Sequence, residues 1–173
     1  MVERRVRGSV ISGYLKYVEK TWGQDGTARC RKETNLAGLE LTDGIFYPNA
    51  MLLAVIKWIS ANYGIAHVRK AANHAVKNLG FMSYIVRFSS VENMLKKSKD
   101  AYNEAYSFGE VEMKFKPHLA TATMKGVSEA PENCEGWMGA LEALLELTHA
   151  KGRVTKTKCQ LKGDPHCEYE IIW

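Results

Sequence analysis

The chain has 173 residues, of which 46% are hydrophobic and 25% charged, with a formal net charge of +5. That length supports a hydrophobic core without covalent staples and suggests a single domain, residues 1–173, with room for two lobes. No apolar run approaches the roughly 18–20 residues of a membrane span. The basic start MVERRVRGSV has no apolar stretch behind it. These features predict a cytoplasmic protein without a membrane partner. The positive residues are dispersed and no nucleic-acid-reading motif accompanies them, so the charge reads as solvated surface.

In chain order, the first two-thirds reads as helix. Val10, Ile11, Tyr14, Leu15 and Val18 form a helical stripe that Gly23 closes. Residues 25–35 predict a second, shorter helix, and 36–46 a loop rich in Gly, Thr and Asp. Pro48 can open a helix through MLLAVIKWISANY to a stop at Gly64. Its apolar residues nearly encircle it, which predicts a central position. Residues 65–79 predict another helix. Ser89, with Glu92 three residues on, predicts a capping box for a helix to about residue 106.

The period then changes to two. Val111, Met113 and Phe115 alternate with Glu110, Glu112 and Lys114, and HLATATMKGV continues as a second strand after the KP turn. A helix over 132–149 carries Cys134, Trp137, Met138, Leu141, Leu144 and Leu145 on one stripe. Residues 153–162 and 167–173 predict the last two strands. The fold class is therefore α+β: a helical N-terminal half (1–106), then a four-stranded antiparallel sheet with a crossing helix (107–173).

The end of the chain carries the chemistry. A hairpin centred on Gly163 sets Lys158 opposite Glu168, Lys156 opposite Glu170, and Cys159 opposite Cys167. Alternation then turns both thiols toward the core side, with the lysines and glutamates on the other face. Cys134, in the first turn of the preceding helix, can meet them there. Three cysteines on converging elements suit a zinc site. Candidates for a fourth ligand are His166, Glu112, His118 and water. On spacing alone, buried inert thiols stand about level with a metal site, and a disulfide or redox pair between the opposed residues stands behind both.

His67 and His74, seven apart, fall on one helix face and read as ordinary partly exposed residues. Gly136 and Gly139 permit close helix approach rather than phosphate binding, since no strand and Gly-Lys pattern surrounds them. No nucleophile elbow or paired catalytic acids appear, so no catalytic residue is assigned. Tyr47, Trp58, Phe81, Tyr84, Phe88, Tyr102, Phe108 and Trp137 are aromatic candidates for a cavity wall.

The run CEGWMGALEALLELTHAKGRVTKTKCQLKGDPHCEYEIIW resembles the end of the four-vinyl-reductase, or hydrocarbon-binding, domain family. Its mark is a cysteine, a glycine-bearing helix, then a cysteine and a GD-x-x-C-x-[YF] hairpin. The start, RGSVISGYLKYVEKTWG, resembles the opening of haem-nitric-oxide-binding domains. Those families and the TRAPP tethering subunits are thought to share one ligand-binding fold. The resemblance implies a sensor or carrier for an apolar or aromatic molecule. It implies walls at Trp137, Phe81, Tyr84, Phe88, Tyr47 and Tyr102, and zinc on Cys134, Cys159 and Cys167, for which His166 is taken from the candidates above as the fourth ligand. It also implies a homodimer or a signalling partner protein.

Two departures stand out. The zinc-bearing sensors supply a carboxylate just before the second cysteine, where this chain has Lys156 and Lys158. The haem domains place a histidine on the helix before the sheet, where SSVENMLKKSKDAYNEAYS has none, and their Tyr-x-Ser-x-Arg motif is missing. Haem is on this reading an unlikely cofactor. A tetrapyrrole-binding protein or accessory enzyme, and a dimeric interaction scaffold, are the alternatives.

Overall fold

The structure is a computed structural model that describes residues 3–78 and 90–173. Two hydrophobic clusters, one built on the helices and one on the sheet, organise it. The N-terminal part pairs two short strands, β1 (Arg5–Arg7) and β2 (Phe46–Pro48), and packs three helices: α1 (Gly8–Glu33), α2 (Asn49–Tyr63) and α3 (Ile65–Lys77). The C-terminal part has helix α4 (Val91–Ala105), strands β3 (Glu110–Lys116) and β4 (Leu119–Lys125), helix α5 (Pro131–Leu147), and strands β5 (Arg153–Lys158) and β6 (Cys167–Ile172). The four long strands form one antiparallel sheet in the order β3-β4-β6-β5, with α5 as the crossover. This is the expected α+β architecture.

Local chemistry accounts for the elements. Gly23 adopts φ 73°, ψ −173° inside α1, a conformation open to glycine, and kinks the helix where a stop was expected. Ser90, not Ser89, caps α4: its hydroxyl accepts from the Asn93 amide at 3.3 Å. Asn133 begins α5 by accepting from the amides of Glu129 and Ala130 at 3.1 and 3.0 Å. Asn49, buried at the start of α2, donates to Glu129 at 2.8 Å and ties α2 to the loop ahead of α5.

The α3–α5 contact is close because Gly139 lacks a side chain: a Cβ there would stand 2.0 Å from the Arg69 carbonyl oxygen. Around that contact Arg69 pairs with Glu142 and, at 3.7 Å, with Glu135. Lys77 and Asn73 both reach Glu146. No helix among the described residues is long and apolar enough to cross a membrane.

The last two strands depart from the simple hairpin. Lys158 faces Glu168 as expected, their side chains 3.0 Å apart. The register then shifts between Lys156 and Lys158, so Lys156 lies opposite Tyr169 rather than Glu170. A β-bulge is the cause: one extra residue on β5 turns Lys156 from the solvent face toward the buried face. Cys159 falls past the end of the ladder instead of opposite Cys167. A 3₁₀ turn at Gln160–Lys162 follows it, held by Asp164 accepting from the Cys159 amide at 2.8 Å.

Candidate functional site

Two features stand out, an apolar cavity and a thiol cluster. The cavity, about 160 Å³, lies where the two hydrophobic clusters meet. Its walls come from α1 (Tyr14), α2 (Leu52, Ile56), α3 (Ala72, Ala75), α4 (Met94, Tyr102), α5 (Trp137, Leu141, Leu144) and the sheet (Val111, Met124). Such a site is the usual form of a small-molecule pocket, apolar with few polar groups. Tyr102 stacks on Tyr106 with centroids 4.9 Å apart, and Trp137 tilts against both at 5.5 and 5.3 Å. Tyr102 donates its hydroxyl to the Phe108 carbonyl, and burial raises its pKa, so it stays neutral.

Of the aromatic residues expected to wall a ligand, Trp137, Tyr102 and Phe108 line this cavity. Tyr47 lies elsewhere: its hydroxyl accepts from the Thr42 amide at 3.0 Å, beside Gly8. Phe81, Tyr84 and Phe88 fall outside the described residues. His67 and His74 face α1, not the cavity: His67 Nδ1 is 2.9 Å from the Tyr17 hydroxyl and His74 packs edge-on against the same ring. Tyr14, Met94 and Tyr106 are lining residues that sequence reasoning passed over. Tyr14 sits on the α1 stripe, where it could be read only as core.

The thiol cluster sits at the N-terminus of α5 and the β5–β6 turn. Cys134, Cys159 and Cys167 are buried, and their sulfurs lie within 4.8 Å of one another. All four cysteines of the chain are free. Cys134 Sγ and Cys159 Sγ are 3.8 Å apart. Polar groups surround the three sulfurs, and the Cys134 and Cys167 thiols donate to Ser128 Oγ. The Gln160 amide donates to Cys167 at 3.4 Å, Lys156 Nζ approaches Cys159 at 3.7 Å, and Ser128 Oγ stands 3.7 Å from both Cys134 and Cys167. The Tyr169 hydroxyl is buried beside Cys134, with no partner other than that sulfur.

Electrostatics separate the thiols. Burial opposes charge on Cys159, but the Leu161 amide, the Cys134 thiol and the Lys156 ammonium outweigh it and hold its pKa below the ordinary value. Burial raises that of Cys134. Cys30, buried in the helical cluster, is pushed up to about 11 by burial and is an inert thiol.

At Cys159 the Leu161 amide and the Lys156 ammonium favour the thiolate, the form that ligates metal, whereas burial holds Cys134 toward the neutral thiol. His166 is not part of the cluster. Its Nε2 lies 3.5 Å from Glu168, at ion-pair range without hydrogen-bond geometry. Glu112 is exposed on β3, and exposed His118 sits in the β3–β4 turn at φ 56°.

No protein-family model matches the chain, and no curated protein matches it. Solved structures do match, along almost the whole length. An H-NOX protein from S. oneidensis in its Fe(II)NO ligation state superposes with a TM-score of 0.78 at 13% identity, covering 95% of this chain and 97% of that one. A structure concerned with haem distortion in the H-NOX family also superposes with a TM-score of 0.78, at 11% identity, covering 96% and 94%. The Fe(II) unliganded H-NOX protein from K. algicida gives 0.68 at 16% identity, covering 96% and 95%.

The chain has the H-NOX fold.

This comparison corrects the expectation that haem is an unlikely cofactor. Structures of this same architecture are described by iron ligation state and by haem distortion. That expectation rests on the missing histidine and the missing Tyr-x-Ser-x-Arg motif, yet haem iron is also held by a thioether, the group that Met94 brings to the cavity wall.

Proposed function

We propose that this chain is a small-molecule-binding sensor domain whose ligand occupies the cavity between the helical cluster and the sheet. The observation that carries the reading is the cavity itself: apolar, aromatic-walled, and placed where two separately packed halves meet. The fold likeness supports a tetrapyrrole as its ligand class. In that case Met94 would supply the iron-ligating type of side chain, and bound haem would supply gas binding at the iron. The chain's own part is to exclude water from the face of the ring and to stack on it with Trp137. A tetrapyrrole also requires the α4–α5 side to part from α1–α3.

A second reading is a smaller apolar or aromatic ligand, as in the hydrocarbon-binding family that the C-terminal motif resembles. The cavity volume favours it: about 160 Å³ is close to the roughly 150 Å³ that holds one benzene ring in an engineered protein cavity.

In either case Cys134, Cys159 and Cys167 would hold a thiophilic divalent metal, zinc by preference, that fastens α5 to the β5–β6 turn. Occupancy would pass to a second copy of the chain or to a signalling partner.

Titration of the reduced protein with haemin, and separately with one-ring aromatics, tests the ligand reading. Expected is saturable one-to-one binding of one class with quenching of Trp137. If haemin is the ligand, its Soret band should move in Met94→Leu. Absence of saturable binding by both classes would sink the proposal.

A further inference from the structure

The geometry points to Ser128 as the residue that presents the fourth, oxygen corner of a metal centre on Cys134, Cys159 and Cys167, with Lys156 as that centre's counter-charge. The inference rests on the metal reading above and deepens it. In a tetrahedral zinc centre, Zn–S near 2.3 Å sets ligand sulfurs about 3.8 Å apart, and Zn–O near 2.0–2.2 Å sets oxygen roughly 3.5–3.7 Å from sulfur. Cys134 and Cys159 already stand 3.8 Å apart. Ser128 Oγ already stands 3.7 Å from two of the three sulfurs. No histidine nitrogen and no aspartate or glutamate oxygen among the described residues joins the three sulfurs.

Charge explains the lysine that stands in the place of an expected carboxylate. Three thiolates around a divalent cation carry one surplus negative charge. The β-bulge turns a single ammonium, Lys156 Nζ, to within 3.7 Å of Cys159 Sγ. A neutral fourth oxygen then leaves the buried centre uncharged, whereas a carboxylate would leave it anionic in a poorly solvated place. Tyr169 fits the same scheme, since its orphaned hydroxyl gains an acceptor once Cys134 is a metal-bound thiolate.

The test is titration of the reduced full chain with Co(II), whose spectrum reports the ligand set. Wild type should bind one equivalent. Ser128→Cys should add one thiolate's share of charge-transfer intensity and move the d–d bands to lower energy. Ser128→Ala should weaken binding by on the order of 10–100-fold, and His166→Ala should reproduce wild type in affinity and spectrum. Wild-type affinity and spectrum in both Ser128 variants, or a His166→Ala spectrum that departs from wild type, overturns the assignment of Ser128 and leaves the metal reading standing. Failure of wild type to bind Co(II) overturns both.

Discussion

Cys159 and Cys30 are both buried cysteines, yet their surroundings differ in kind. Cys30 packs among apolar helix residues, and a thiolate there would have little to offset its desolvation. Cys159 has an ammonium, a backbone amide and a second thiol turned toward it. This contrast predicts different outcomes on substitution. Cys159→Ser should lose the metal and melt at the temperature of wild type stripped by a chelator, because a structural metal contributes folding free energy directly. Cys30→Ser should respond to the chelator as wild type does and suffer only the penalty of a hydroxyl in an apolar core. Scanning calorimetry of the three proteins, with and without chelator, checks this. A chelator-insensitive wild type would contradict the structural role of the metal.

At the scale of elements, the α3–α5 contact positions both sites. α5 carries Cys134 at its start and Trp137, Leu141 and Leu144 along the cavity, so its distance from α3 bears on each. Gly139→Ala places a methyl against the Arg69 carbonyl and should cost about 1–3 kcal/mol, the usual range for overpacking. Urea unfolding of the variant measures it, and an unchanged midpoint would mean that α5 can shift freely.

Much of this level was legible in the sequence. The break in α1 at Gly23, the helix stop at Gly64, the change of period at Glu110, the Lys158–Glu168 pair and the close approach at Gly139 all follow from local rules. The bulge at Thr157 was not legible, because no glycine or proline marks it. Without it, Lys156 is assigned to solvent and the fourth corner of the cluster is sought in the wrong places. Ser128 was passed over for a related reason: a serine in a loop has no periodicity to declare its partners, and only the sheet and α5 together bring it to the thiols. The cavity wall was legible for Trp137 and Tyr102 but not for Met94 or Tyr14. Lining and core residues obey one pattern and differ only in whether space lies beside them.

Across the whole molecule, the cavity and the thiol cluster share the segment from Met124 to Cys134. Met124 pairs with Cys167 across the sheet and lines the cavity, Val127 lines it too, and Ser128 touches the sulfurs. On the proposed reading, this contiguity would make a metal on the cluster a brace for one wall of the pocket. The fold itself is shared at low identity with H-NOX structures. The central claim is that a ligand lies in that pocket, and native mass spectrometry of the full chain with the best-binding compound tests it most directly. Wild type should carry one metal and one ligand, while Ala140→Phe, which fills the cavity, should keep the metal and lose the ligand. Equal ligand occupancy in the two proteins, or none in either, would contradict the account.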